Sequence, residues 1–176
     1  MSNKFIAKPS PGEYPAYAIQ YMKWLSDDGG ILEHLKGQIS KTQELARNIP
    51  AGKWTHVYAP GKWSIKEIFV HVIDDERIYA YRALRIGRGD TTPLPGFEQD
   101  QYVPYSRANE RAISSILEEY ETVRRATLSL FESFSDEDLT RFGTANGHPY
   151  SVRGLLYHLA GHELHHLEIV KDKYLA

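Results

Sequence analysis

Four of the chain's eight histidines, His158, His162, His165 and His166, crowd into one short stretch. Imidazole titrates nearest neutral pH and is the commonest protein ligand of divalent metals, so the order of these four matters. A helix advances about 100° per residue, which leaves side chains four apart about 40° from each other on its surface. With His158 at zero, the apolar residues Val152, Leu155, Leu156, Leu159, Leu167, Ile169 and Val170 cover an arc of roughly 20–200°. His162 falls near 40° and His166 near 80°, inside that arc, while His158 and His165 fall at its edge, at about 0° and −20°. The spacing predicts that His162 and His166 face a core and that His158 and His165 lie at its rim.

Two imidazoles buried on successive turns are costly unless each finds a partner. A carboxylate or tyrosine could serve each one separately. A divalent ion serves both at once, and a histidine pair at i, i+4 chelates well from a helix. A catalytic zinc ion usually takes three protein ligands, so a third is needed. His71 shares a stripe with Ile65, Ile68, Val72, Tyr79, Ala83 and Ile86, near one border of it. Taken by itself, it fits a core histidine as well as a ligand. Asp75 lies one turn further on and Glu76 falls within the apolar arc, whereas Asp74 points outward. Asp75 and Glu76 are therefore candidates to steady a metal centre from behind or to act in catalysis, with Glu76 equally able to bond buried backbone or Arg82. His34, His56 and His148 read as surface or loop residues.

His162-Glu163-Leu164-His165-His166 also matches H-E-x-x-H, the zinc-protease helix in which Glu is the general base. The extended version of that motif requires a histidine where this chain has Asp172, so a peptidase is disfavoured. Glu163 remains a candidate catalytic base, or a carboxylate that supports the ligands, near the metal.

The elements that must position these residues are legible from periodicity and caps. Residues 1–13 form an irregular lead-in, and Tyr14 to Leu25 a short helical approach. Leu32, Leu35, Ile39, Thr42, Ala46 and Ile49 mark a helix that Pro50 stops. Ser64 with Glu67 three residues on is a capping box, opening a helix to about Ile86. Residues 87–106, punctuated by Pro93, Pro95, Gly96 and Pro104, read as a long loop. Ile113 to Phe134 carries the cleanest stripe, Ser135 opens a short turn, and residues 141–149 read as another loop. Ser151 caps the last helix. Trp63-Ser-Ile-Lys-Glu-Ile-Phe-Val-His71 and Tyr150-Ser-Val-Arg-Gly-Leu-Leu-Tyr-His158 echo each other, so both histidine-bearing helices start alike. Four amphipathic helices in one domain spanning 1–176 predict an all-α four-helix bundle.

Composition narrows the function. The formal net charge is −2, and no basic run is present, which argues against a nucleic-acid partner. With no cysteine, a metal must be held by His, Asp or Glu, and any thiol in the chemistry must arrive as substrate. No apolar run is long enough for a membrane span and no signal-peptide core follows Lys4, so a cytoplasmic location is expected.

Three ordered motifs resemble the DinB superfamily. Gly61-Lys-Trp-Ser-Ile-Lys-Glu-Ile-Phe-Val-His71, with Asp74-Asp-Glu76 and Tyr81-Arg82, is similar to its second-helix signature. Pro93-Leu-Pro-Gly-Phe-Glu-Gln-Asp100 is similar to the loop that follows, and Ala160-Gly-His162-Glu-Leu-His-His166 to the closing H-x-x-x-H helix. The resemblance spans about residues 14–175. It implies an up-down-down-up bundle, a metal on His71, His162 and His166, and frequent homodimers. It also implies kinship with metal-dependent hydrolases and thiol transferases, bacillithiol S-transferases among them.

The expected function is thus a metal-dependent S-transferase joining a low-molecular-weight thiol to an electrophile. A three-histidine ion keeps a position for the thiol and favours its thiolate. Water at the same position would give a hydrolase, and a site closed by a fourth protein ligand would give a non-catalytic metal-binding protein. Zinc is the expected ion, with nickel, manganese and iron as alternatives. The loop from Gly87 to Ser106, carrying Phe97, Asp100, Tyr102 and Tyr105, is expected to wall the metal pocket or to plug the bundle's end.

Overall fold

The structure, a computed structural model, describes residues 4–175. After a 3-10 turn at Ala16–Ala18 come α1 (Ile19–Met22) and α2 (Ile31–Asn48), then α3 (Ile65–Gly87), α4 (Gln99–Ser106), α5 (Ile113–Ser133) and α6 (Asp136–Thr140). A hairpin of β1 (Phe142–Ala145) and β2 (His148–Ser151) leads into α7 (Val152–Val170). The caps explain where the site-bearing helices begin. Ser64 accepts from the Glu67 amide and Glu67 returns the bond, completing a capping box on α3. Ser151 accepts from the Gly154 amide at the start of α7. α2 ends at Asn48, and the next residue, Ile49, takes the extended backbone that a following Pro50 requires.

Four long helices, α2, α3, α5 and α7, make the bundle. The N-terminus of α3 meets that of α5, where Lys66 Nζ donates to the Arg111 carbonyl at 2.6 Å, so these two run parallel. α2 opposes α5, with Gln43 on Glu121 and Lys36 on Glu132. α7 opposes α3, with His162 beside His71 and His158 stacked on Tyr79. The order is up-down-down-up, and α2 and α3, consecutive among the four long helices, stand diagonally. The core is split in two. One apolar cluster gathers Leu35, Ala83, Leu128 and Leu155, and the other gathers Ala46, Phe69, Ile116 and Leu167. Between them lies a polar layer of Thr42, Asp75, Glu76, Arg124, His162 and Glu163, all buried.

Two expectations need correction. Residues 141–149 are mostly a hairpin, because Asn146 and Gly147 both take positive φ, 52° and 73°, the two-residue turn that matches strand twist. The long loop holds a helix, α4, despite Pro104 within it. Proline costs one backbone bond and clashes with the preceding turn, which is tolerable in a short exposed helix that buries none of its residues. The hairpin pins the start of this segment: the Leu94 amide donates to the Thr144 carbonyl, and the Asn146 amide donates to the Leu94 carbonyl.

Candidate metal centre

His71 lies seven residues past the Ser64 cap, and antiparallel packing brings the middle of α7 against it. His71 Nε2 is 3.0 Å from His162 Nε2, and His166 Nε2 is 3.1 Å from the same atom. Nitrogens bound to one ion at about 2.0–2.1 Å stand roughly 3.0–3.4 Å apart, so the three could share one. Burial lowers His71 to about 4 and His166 to about 3, and holds His162 well below the ordinary histidine value. All three are neutral at pH 7, with lone pairs available. Among the described residues no fourth His, Asp or Glu joins this cluster.

The surroundings fit an ion. Asp75 Oδ2 lies 3.3 Å from His162 Nδ1 but out of hydrogen-bond alignment, and it has no other partner. Burial pushes this carboxyl up to about 8. An orphaned buried oxygen is expensive. A cation on the far nitrogen of His162 would fix the proton on Nδ1, facing Asp75, and favour the carboxylate's charged form. Trp63 packs against His71 with ring centroids 4.7 Å apart and stacks over His166 at 6.4 Å. Tyr21, from α1, covers His162 at 5.4 Å. That approach depends on Gly161, where an added Cβ would meet the Tyr21 carbonyl oxygen at 2.3 Å.

The structure thus brings His71, His162 and His166 together, with Asp75 behind them, and leaves His34, His56 and His148 exposed. His165 is half-buried, as its rim position predicts. His158 departs from its predicted place at the rim. It is 2% exposed, its Nδ1 is 3.0 Å from the Tyr150 hydroxyl, and Tyr79 stacks on it at 4.2 Å. The helical wheel considered only the bundle side of α7. The N-terminal lead-in covers the other side and buries His158 under Tyr17 and Tyr21.

Glu163, the candidate base, turns away from the three histidines. Its Oε1 accepts from Tyr120 at 2.6 Å and Thr42 at 2.9 Å, and its Oε2 from Arg124 at 2.7 Å. Glu76 takes Arg124 as well, through two bonds of 2.8 Å, rather than backbone or Arg82. Arg124 is fully buried between the two carboxylates, which hold its pKa above the ordinary value although desolvation, the largest influence, opposes this. Sequence reasoning overlooked Arg124. The signal was present: two core-facing glutamates require a cation, and Arg124 sits one turn past Tyr120 on the α5 stripe.

Two recesses flank the histidines. One, of about 270 Å³, opens against His166 and is lined by Tyr58, Lys62, Trp63 and Asp100. The other, of about 260 Å³, opens against His162 and is lined by Asp75, Tyr21, Arg82, Phe97 and Gln99. The segment around α4 therefore contributes to both, through Phe97 and Gln99 on one side and Asp100 on the other.

Fold and site together define a histidine-lined helical bundle of the DinB type, and the family model bears this out. The model of the DinB superfamily matches residues 34–170, and the chain belongs to that superfamily. Among solved structures, YfiT from Bacillus subtilis is similar, with a TM-score of 0.73 at 12% identity, covering 94% of this chain and 90% of that one. YfiT is described as "a probable metal-dependent hydrolase with an unusual four-helix bundle topology". A search of curated proteins finds no match. No helix among the described residues is long and apolar enough to cross a membrane.

Proposed function

We propose that His71, His162 and His166 hold one divalent ion, with zinc as the first choice, and that the protein is a metal-dependent S-transferase for a low-molecular-weight thiol. The observation that carries the transfer reading is the pair of recesses on either side of the histidines. A reaction joining two molecules needs two seats beside one centre, whereas hydrolysis needs a single organic seat and water. When bound, the ion would supply Lewis acidity that favours a thiolate near neutral pH.

The chain's own residues do the rest. The three neutral imidazoles offer lone pairs without first losing protons, and among the described residues no fourth His, Asp or Glu joins the cluster, which supports catalysis over a purely structural role. Asp75, 3.3 Å from His162 Nδ1, would orient that ring once an ion fixes the proton on Nδ1. Trp63 and Tyr21 cover the ring faces and keep bulk water off them. With no cysteine in the sequence, the protein presents no thiol of its own to compete for ion or electrophile. Glu163, held by three donors, serves the bundle rather than the reaction.

The test is metal analysis of protein purified without an affinity tag, followed by conjugation assays with a panel of small thiols and a soft electrophile. Thiol-dependent loss of electrophile that requires the ion supports transfer. The second reading, a hydrolase, is favoured by the description of YfiT, and ester or amide cleavage without any thiol would establish it instead. The same assay reads the α4 segment: Phe97→Ala with Tyr102→Ala should keep metal content and change the substrate profile.

A further inference from the structure

The bundle buries two arginines, Arg82 and Arg124, and treats them differently. Arg124 lies between two carboxylates, each within 2.8 Å of the guanidinium. Arg82 is just as deeply placed, at 3% exposure, yet among the described residues no carboxylate oxygen lies within 4.0 Å of its nitrogens. Among the described residues its one hydrogen bond goes to the Pro95 carbonyl at 2.8 Å. The rings of Tyr79 and Phe97 lie 4.9 Å and 5.7 Å from its guanidinium carbon. A guanidinium carries five N–H donors in a rigid fork, so most of these donors lack a protein acceptor. A buried guanidinium that no carboxylate touches is costly, and such groups concentrate where a ligand completes them.

Arg82 lines the recess of about 260 Å³ that also reaches His162 and Asp75. The carbonyl bond to Pro95 and the flanking rings fix the guanidinium within that wall. From this arrangement we infer that Arg82 is the seat of a carboxylate on the substrate, held at the far end of the recess while the substrate's other end reaches the histidines. A carboxylate matches the fork through two parallel bonds. A phosphate dianion suits the recess less well, because Arg82 is the one cationic side chain among the described residues lining it and balances a single negative charge. Tyr21 and Phe97 offer ring surface in the same recess, beside the polar Gln99 and Asn146. Arg82 is thus a specificity-determining residue that selects anionic over neutral substrates. The substrate assignment rests on the proposed reaction at the histidines, whereas the carboxylate seat can be read by binding alone.

The experiment measures binding of benzoate, benzamide and phenyl phosphate to the full chain after metal removal with a chelator, by calorimetry or thermal shift. Without the ion, no carboxylate can bind through it, and no catalytic activity is read, so a wrong reaction class leaves the result unaffected. Benzoate should bind at least tenfold more tightly than benzamide, and more tightly than phenyl phosphate. Arg82→Gln should abolish the preference for benzoate over benzamide, and Arg82→Lys, which keeps the charge and loses the fork, should weaken benzoate several-fold. Circular dichroism and stoichiometric metal rebinding confirm that each variant is folded. Equal binding of benzoate and benzamide by the unaltered protein overturns the proposal without reference to any variant. Undiminished benzoate binding by folded Arg82→Gln, or a preference for phenyl phosphate, overturns it equally.

Discussion

Asp75 Oδ2 stands 3.3 Å from His162 Nδ1, on the side of the ring opposite the nitrogen that faces His71 and His166. One imidazole therefore bridges a buried carboxyl and the centre of the histidine cluster. Outer carboxylates of this kind raise the basicity of a ligating histidine and fix its tautomer. Asp75→Asn keeps the shape and removes the charge. It should weaken divalent-metal affinity by about 10–100-fold, read by competition with a chromophoric chelator. Unchanged affinity would show that Asp75 does not act through His162.

His71→Ala, His162→Ala and His166→Ala should each abolish stoichiometric metal binding, while His158→Ala and His165→Ala retain it. The two retaining variants should differ in stability. His158 is buried among Tyr79, Tyr150 and Tyr21, so its removal should cost about 2–4 kcal/mol, whereas His165→Ala should cost under about 1 kcal/mol. Metal analysis and denaturant titration of the five proteins decide it, and full metal retention in His71→Ala would sink the three-histidine centre.

Stability of the metal-free protein should fall on acidification. Burial lowers His71 to about 4 and both His158 and His166 to about 3, against 6.5 in the unfolded chain. Between those values the unfolded chain binds the extra protons, so folding weakens as pH drops from 6.5 towards 3. Each group contributes up to about 1.4 kcal/mol per pH unit across that window. Asp75 has the opposite sign: raised to about 8 from 3.8, it costs stability as pH rises between those values. Urea titrations from pH 4 to pH 6.5 should therefore show a steeper profile for Asp75→Asn than for the unaltered protein. A flat profile would mean that the histidines protonate freely in the folded state.

Glu163→Gln leaves Arg124 with half its compensation, and Glu76→Gln does the same from the other side. Each should destabilise the bundle by about 3–5 kcal/mol, because a buried guanidinium is left partly unpaired. Activity per folded molecule should hold in both. Loss of activity in Glu163→Gln without loss of stability would restore Glu163 as a catalytic base.

Gly161→Ala should separate α1 from α7, since its Cβ would sit 2.3 Å from the Tyr21 carbonyl oxygen. The expected cost is about 1–3 kcal/mol, with Tyr21 displaced from His158 and His162. Thermal unfolding and the fluorescence or chemical shifts of the tyrosine would report it. Unaltered stability would mean that the lead-in carries no weight in closing the site.

The helices and their starts were legible in the chain itself. Ser64 with Glu67 and Ser151 announce α3 and α7, and Leu32 to Ile49 and Ile113 to Phe134 carry period-3.6 stripes. These are local signals, fixed by backbone capping and by one face of a helix, and they survive whatever packs outside. His162 and His166 were legible for the same reason, being four apart on an apolar arc. The hairpin is less legible: its residues lack a period-2 apolar stripe, although Asn146-Gly147 favours a tight two-residue turn.

Periodicity along the chain assigns residues to shared helical faces: His162 with His166, His71 with Tyr79, and Glu76 within the core stripe of α3. Which faces meet was decided by tertiary structure alone. The antiparallel contact of α3 and α7 sets His71 against His162, and the parallel contact of α3 and α5 sends Arg124 to Glu76 and Glu163. The lead-in buries His158, which any wheel drawn on α7 places at a rim. The physical reason is range. Periodicity records the environment of a helix averaged over one face, whereas ion pairing, burial and the opposing roles of Arg82 and Arg124 depend on groups brought together from distant parts of the chain.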